Sequence, residues 1–356
     1  MKSTISRLLA PLSSGAVFLT ALLFAVSCEK KETPSAASVL PTAAAVEQSI
    51  TPQVVADQTV STTPVAAAAP TPSVSATPGK GLRFLAYNVE NWLIMEERFD
   101  YDTRISTKNA PKPDKEKDAV ISLVTSAKPD VFGVCEIGTK EDLLDIQTRL
   151  KSAGLDLPHS HFTGGMDRTR HLGLLSRYPI VDTATPADTQ YKLNGKEYSI
   201  QRGVLDASIK TPDGRSWRFL GVHFKSKREV EDGDQNQMRI NEAQLLRQHI
   251  DTILRDDPQA RLISYGDFND TRSTATIRAV LGPYNSPRAM TAIPLVDSRQ
   301  QYWTHFWAKE DIYSRIDFIF HSQSVKDDVI KEESKILDPE NWNDASDHRA
   351  LLGVFR

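Results

Sequence analysis

Five times in this chain an apolar run stops at a residue able to bind a metal ion or move a proton: at Asn88, at Glu136, at His223, at Asp267 with Asn269, and at Asp347 with His348. One carboxylate at the end of a strand is usually a turn former or a helix cap. Several strand ends on one sheet edge, however, open into a common crevice. Carboxylate and amide oxygens are hard ligands, suited to Mg²⁺ or Mn²⁺ more than to zinc. Histidines beside carboxylates transfer protons near neutral pH. Amide and imidazolium donors suit the charge that develops on phosphate oxygens. Together these are the parts needed for in-line attack of water on phosphorus.

The elements that must hold these residues can be read from the apolar pattern. Residues 82–87 read as a strand ending at Asn88, and 131–135 as a short buried strand delivering Glu136. Residues 203–209 alternate, Pro212-Asp213-Gly214 makes a turn, and 217–222 return as the paired strand that leads to His223. Residues 262–265 form a strand leading into Gly266-Asp267, and 316–320 and 350–354 close the chain as strands. Helices are expected over 115–127, stopped by Pro129, and over 235–254, with Ala243, Leu246, Ile250 and Ile253 on one face. Helices alternating with strands, but with hairpins present, point to mixed sheets covered by helices.

The ordered segments FLAYNVENW, KPDVFGVCEIG, LGLLSRYPI, GVHFKSK, YGDFND, SRIDFIFHS and ASDHRALLGVF span nearly all of residues 81–356. In this order they resemble the endonuclease/exonuclease/phosphatase superfamily, which includes DNase I-like nucleases, exonuclease III-like repair enzymes, sphingomyelinases and inositol phosphatases. The resemblance implies an α/β fold, a four-layer α-β-β-α sandwich of two mixed, mainly antiparallel sheets with the site at one edge. It implies a divalent-metal-dependent phosphoester hydrolase using Mg²⁺, with Mn²⁺ as an alternative.

Carried over motif by motif, Glu136 is the expected principal metal ligand, supported by Asn88 and Asp347. Asp267 is expected to orient or deprotonate the attacking water, and Asn269 to hold that water or a phosphate oxygen. His348 contacts the scissile phosphate, Asp317 holds its tautomer, and His223 donates to a phosphate oxygen or to the leaving group. Sequence leaves open whether Asp267 or His348 is the general base. Arg202 is either a phosphate-binding arginine or a surface salt bridge. Asp167, Arg168, Arg170 and His171 are placed on the rim of the cleft. Lys225, Lys227 and Arg228 are a basic steering group or a solvated loop. Cys135 is expected to face the core, and core packing is favoured over base stacking for Trp303, Phe306 and Trp307. Tyr191 and Tyr198 lie in a Lys/Asn/Gly/Glu-rich insert, with no match to the tyrosine loop of exonuclease III-like enzymes; this argues against abasic-site repair.

The 356-residue chain carries a net charge of -3, so no global basic field announces a nucleic-acid partner. Two cysteines, Cys28 and Cys135, are too few for a disulfide framework or a thiolate zinc site. Residues 1–28 read as an export signal: Lys2 and Arg7, an apolar stretch, then Ala25-Val26-Ser27-Cys28, similar to a bacterial lipobox. Residues 29–80, rich in Ala, Pro, Thr and Ser with repeated Thr-Pro pairs, read as a disordered tether. The expectation is therefore an exported, lipid-anchored monomer, at the outer rather than the inner membrane. Its catalytic domain, 81–356, would act as a nuclease, or alternatively on phospholipid headgroups or sugar phosphates. A catalytically inactive binding module is the third reading.

Overall fold

The computed structural model describes residues 81–100, 103–231 and 233–356. The export signal and tether read over residues 1–80 lie outside the described residues.

Two six-stranded mixed sheets form the centre. The first runs, in spatial order, Lys335–Ile336, Leu351–Phe355, Leu82–Trp92, Val131–Ile137, His171–Ser176 and His159–Thr163. The second runs Thr291–Ala292, Asp317–His321, Leu262–Asp267, Ser216–His223, Val204–Lys210 and Ile180–Ala184. Each sheet has one parallel pair at its middle, Leu82–Trp92 with Val131–Ile137 and Ser216–His223 with Leu262–Asp267; the pairings around them are antiparallel.

Strand alternation divides the apolar residues into three layers of contact. Phe84 and Ala86 of the first sheet meet Leu205, Phe219, Ile263, Tyr265 and Ile319 of the second. Leu85, Tyr87 and Val89 face the other way, onto helix Asp114–Ala127 (through Val120, Leu123 and Val124) and helix Lys140–Ser152 (through Leu143, Ile146 and Leu150). On the far side, Leu220, Val222, Phe318 and Phe320 pack against Ala243, Leu246 and Ile250 of helix Gln235–Asp256 and Ile277 and Val280 of helix Ala275–Leu281. Three apolar interfaces thus separate four layers, helix, sheet, sheet and helix, as expected. Tyr265 fills the space between the sheets where two glycines leave it room. A Cβ on Gly133 would stand 2.1 Å from its ring, and one on Gly221 2.7 Å from its hydroxyl.

Three two-stranded ribbons decorate this frame: Met95–Phe99 with Ser106–Ala110, Gln190–Leu193 with Lys196–Ser199, and His305–Trp307 with Ile312–Ser314. The second is the polar insert. Its turn is Asn194-Gly195, both at positive φ (52° and 77°), and Tyr191 stacks on Tyr198 with ring centroids 5.6 Å apart.

Candidate active site

Backbone register brings the polar residues to one edge. In the second sheet, His223 is paired with Asp267 and Asp267 with Asp317, forming a row across three strands. In the first sheet, Asn88 is paired with Cys135, one residue before Glu136. Asp347 and His348 precede strand Leu351–Phe355 instead of ending one. Because that strand runs antiparallel to Leu82–Trp92, its entrance lies at the same edge as Asn88.

Local backbone strain completes the convergence. Alternation would send Cys135 and Glu136 to opposite faces. Cys135 is buried in the layer between the sheets, as expected. Glu136 takes φ +67°, and its carboxylate reaches Asn88 and the backbone of Asn91. The first strand does not stop at Asn88 but continues to Trp92 through a register shift, with Glu90 and Asn91 at φ +49° and +57°. Gly266, at φ +131°, is required where it stands, because a Cβ there would lie 1.9 Å from the Val222 carbonyl oxygen. The left-handed residues at this edge, Glu90, Asn91, Glu136 and Asn269, mark strain that the surrounding fold must hold in place.

Asn88 is the hub. Its Nδ2 lies 3.1 Å from Glu136 Oε1, 3.3 Å from Asp267 Oδ2 and 3.4 Å from His348 Nε2. The Glu90 backbone N–H donates to its Oδ1 at 3.1 Å, which fixes the amide. His223 Nε2 stands 3.5 Å from Asp267 Oδ2 and 3.8 Å from Glu136 Oε1. Asn269 donates its backbone N–H to Asp267 Oδ1 at 2.8 Å, and its side chain bridges Asp267 and the Phe224 carbonyl. His348 Nδ1 is 2.8 Å from Asp317 Oδ2, while its Nε2 looks toward Asp267 Oδ2 at 3.8 Å and Asp347 Oδ1 at 3.9 Å.

Proton affinities differ sharply among the buried groups. Burial pushes the Asp267 carboxyl up, the Asp317 charge adds to it, and the pKa reaches about 7. Burial opposes charge on His348, but the Asp317 and Asp347 carboxylates and the hydrogen bond to Asp317 outweigh it and hold its pKa well above the ordinary histidine range. His223 goes the other way. Burial, then Arg202, His348 and Arg170, keep it well below that range and hence neutral near pH 7. Near pH 7 the site thus sets a carboxyl at the edge of its titration beside an imidazole that favours its charged form and a second imidazole that stays neutral.

The donor set also fits a divalent cation. Glu136 and Asp267 meet at the Asn88 amide, and the negative charge crowded around buried Asp267, from Asp317 and Glu136, is what a hard cation relieves. Among the described residues, His305, Asp347 and His348 form one group with ligand atoms within 4.8 Å of one another, and Asp267, Asp317 and His348 another.

Three readings of individual side chains need correction. Arg202 is neither an open phosphate clamp nor a surface pair: it is buried, with Nε 2.9 Å from Asp167 Oδ2 and a second nitrogen on the Phe224 carbonyl. Through Asp167 it braces the loop that carries Arg170, whose Nε is 3.8 Å from Glu136 Oε2. Lys225 is buried, its Nζ bound to the carbonyls of Ser226 and Arg228, so only Lys227 and Arg228 of that trio face solvent. Trp303 does pack, between Arg349, Tyr313 and Trp342, but Trp307 is 47% exposed on its ribbon. Sequence reasoning missed His305. That ribbon residue sits beside His348 with ring centroids 4.7 Å apart, and no apolar run announces it.

The chain matches the Endonuclease/Exonuclease/phosphatase family over residues 98–348. No curated protein matches it. Among solved structures, it is similar to the human Nocturnin catalytic domain with bound sulfate anion (16% identity, 78% of this chain and 94% of that one, TM-score 0.54). It is similar also to an endonuclease/exonuclease/phosphatase from Bacteroides vulgatus (15%, 78% and 98%, TM-score 0.54). A third is the 3′ phosphatase NExo from Neisseria bound to product DNA hairpin (15%, 77% and 99%, TM-score 0.51). The two-sheet frame with its polar edge and the match over well over half its length place this chain in the endonuclease/exonuclease/phosphatase family, a family of phosphoesterases.

Proposed function

We propose that the chain is a divalent-metal-dependent phosphodiester hydrolase acting on nucleic acid, exported and tethered to the cell envelope by a lipid on Cys28. The observation that carries the chemistry is the single network joining Asn88, Glu136, His223, Asp267 and His348 to its partner Asp317. Glu136, with Asn88 and Asp347, would hold Mg²⁺ (or Mn²⁺). When bound, the ion supplies charge neutralisation and polarisation at the scissile phosphate. Asp267, oriented by Asn269, takes the proton from the attacking water. The His348 imidazolium, held by Asp317, binds a non-bridging phosphate oxygen. Neutral His223 donates a second hydrogen bond to the phosphate or to the leaving oxygen, and Arg170 adds positive charge at the rim.

A nucleic-acid substrate is favoured by the ribbon at the mouth of the site. Trp307, 47% exposed, projects from the ribbon whose root residue His305 touches His348. Exposed aromatic faces beside a phosphate-cleaving centre suit stacking on bases. The DNA hairpin bound by NExo supports the same substrate class. We place the protein at the outer membrane as a monomer.

The test is hydrolysis by the purified chain, with Mg²⁺ or excess EDTA, of single- and double-stranded DNA, RNA, phospholipid vesicles and sugar phosphates, at rising salt. Metal-dependent cleavage of nucleic acid that weakens steeply with salt supports the reading. Cleavage confined to lipid or sugar phosphates moves the substrate and keeps the site. No turnover on any of them leaves a binding module.

A further inference from the structure

The ribbon His305–Trp307/Ile312–Ser314 places a histidine where the chemistry above has no use for one. A backbone bridge joins His305 to His348, and the Phe306 N–H donates to the Asp347 carbonyl at 3.0 Å, so the ribbon is fastened along residues 347–348. This attachment sets His305 Nε2 3.7 Å from Asp347 Oδ2, while His348 Nε2 lies 3.9 Å from Asp347 Oδ1. Two imidazole nitrogens and a carboxylate thus face one point, and their ligand atoms lie within 4.8 Å of one another.

We propose that His305, Asp347 and His348 form a zinc-binding site, which shares Asp347 with the oxygen ligands proposed for Mg²⁺ but adds two imidazole nitrogens, and that zinc bound there switches the enzyme off. Imidazole nitrogen suits zinc, whereas Mg²⁺ prefers an all-oxygen shell. The supporting contacts are those of a built zinc site. His348 Nδ1 is held by Asp317 at 2.8 Å and His305 Nδ1 faces Ser314 Oγ at 3.4 Å, so each ring already has its other nitrogen partnered and its Nε2 turned inward. Tetrahedral ligands at about 2.0–2.1 Å from zinc stand roughly 3.4 Å apart. The His305–Asp347 and His348–Asp347 pairs, at 3.7 and 3.9 Å, lie a few tenths of an ångström from that spacing, no pair of ligand atoms in the group exceeds 4.8 Å, and the Asp347 side chain is 42% exposed. Three protein ligands leave a fourth position open to water. Inhibition follows because zinc takes the His348 Nε2 position that otherwise meets the phosphate; this half of the proposal rests on the function proposed above.

The experiment uses the full chain. Zinc binding is measured by calorimetry in Mg²⁺-free buffer, Co²⁺ absorption reports the coordination geometry, and rates are taken on a bis-aryl phosphodiester with Mg²⁺ and graded Zn²⁺. One zinc per chain is expected, with tetrahedral Co²⁺ bands. His305→Ala should bind zinc at least about 10-fold more weakly and resist inhibition by the same factor, relative to its own zinc-free rate. His305→Phe keeps a ring against His348 and removes the ligand, so it must behave like His305→Ala. Zinc binding that survives both variants, or that is lost in Glu136→Gln, overturns the site. Binding that depends on His305 but leaves the rate untouched overturns the switch. If no phosphoester is cleaved while zinc binding still depends on His305, the functional reading fails and the site stands.

Discussion

Replacing Asp317 by Asn tests the division of labour at the centre of the site. Asp317 Oδ2 and His348 Nδ1 are 2.8 Å apart and both side chains are buried, so solvent does not screen the pair. A hydrogen bond between charged partners contributes about 1.5–3 kcal/mol, and roughly half of that is lost when one partner is neutral. The variant keeps the shape and the acceptor but gives up about 1–2 kcal/mol of the stabilisation of the imidazolium, a factor of about 5–30. That factor should appear in kcat/KM on a bis-aryl phosphodiester at pH 7, and the NMR titration of His348 should move to lower pH. The sign for stability follows from linkage. A histidine whose folded-state pKa is raised contributes stability fully present below the unfolded value near 6.5, and lost as pH rises through the folded one. The stability difference between wild type and Asp317→Asn should therefore be widest in mildly acidic solution and shrink on the alkaline side. A variant within 2-fold of wild type, with the His348 titration unmoved, would refute the claim that the catalytic imidazole is held charged by Asp317.

Away from the site, Asp206 is buried and accepts hydrogen bonds from Nε and Nη2 of Arg218 at 2.7 and 2.6 Å, with His249 Nε2 at 2.6 Å. Asp206→Ala strands a cation and should cost about 3–5 kcal/mol in urea unfolding at pH 7. Burial pushes the Asp206 carboxyl up, but hydrogen bonds from His249 and Arg218 bring it below the usual carboxylate range. Its contribution is complete above the unfolded value near 3.9 and vanishes as pH falls through the folded one, so the mutant and wild-type curves should converge in acid. Gly133→Ala drives a methyl into the Tyr265 ring at 2.1 Å and should destabilise by about 1–3 kcal/mol; Tyr265→Leu in the same chain should recover much of that, as a double-mutant cycle would show. Trp307→Ala should raise KM for single-stranded DNA by the equivalent of about 1–3 kcal/mol for the lost stack and leave a bis-aryl substrate unaffected; equal effects on both would remove the ribbon from substrate binding.

The site was legible in the sequence to the extent that it lies at the ends of apolar runs. His223 and Asp267 each terminate a run of buried residues, and their side-by-side register follows from the pairing of those strands. Helix Lys140–Ser152 was overlooked although its signals are present: a Thr139–Asp142 capping box and Leu143, Ile146 and Leu150 at helical spacing. Its charged, mostly exposed face masked the stripe. The continuation of the first strand to Trp92 was hidden because it passes through two left-handed residues, Glu90 and Asn91, that no local propensity favours there. Arg202 could not be placed from its neighbours, since its partner Asp167 is 35 residues away and the contact depends on how two loops cross. His305 belongs to the same class: its three-residue strand has no periodicity, and only the closing of the ribbon onto residues 347–348 reveals its neighbourhood.

The measurement closest to the central claim is the initial rate of bis-aryl phosphodiester hydrolysis by the purified chain and by Glu136→Gln as Mg²⁺ is titrated from an EDTA-stripped start. The account predicts no turnover without the ion, saturable activation in the wild type, and a loss of at least about 100-fold in the variant at any Mg²⁺ concentration that saturates the wild type. Hydrolysis that proceeds in EDTA, or that Glu136→Gln supports as well as the wild type, would contradict it.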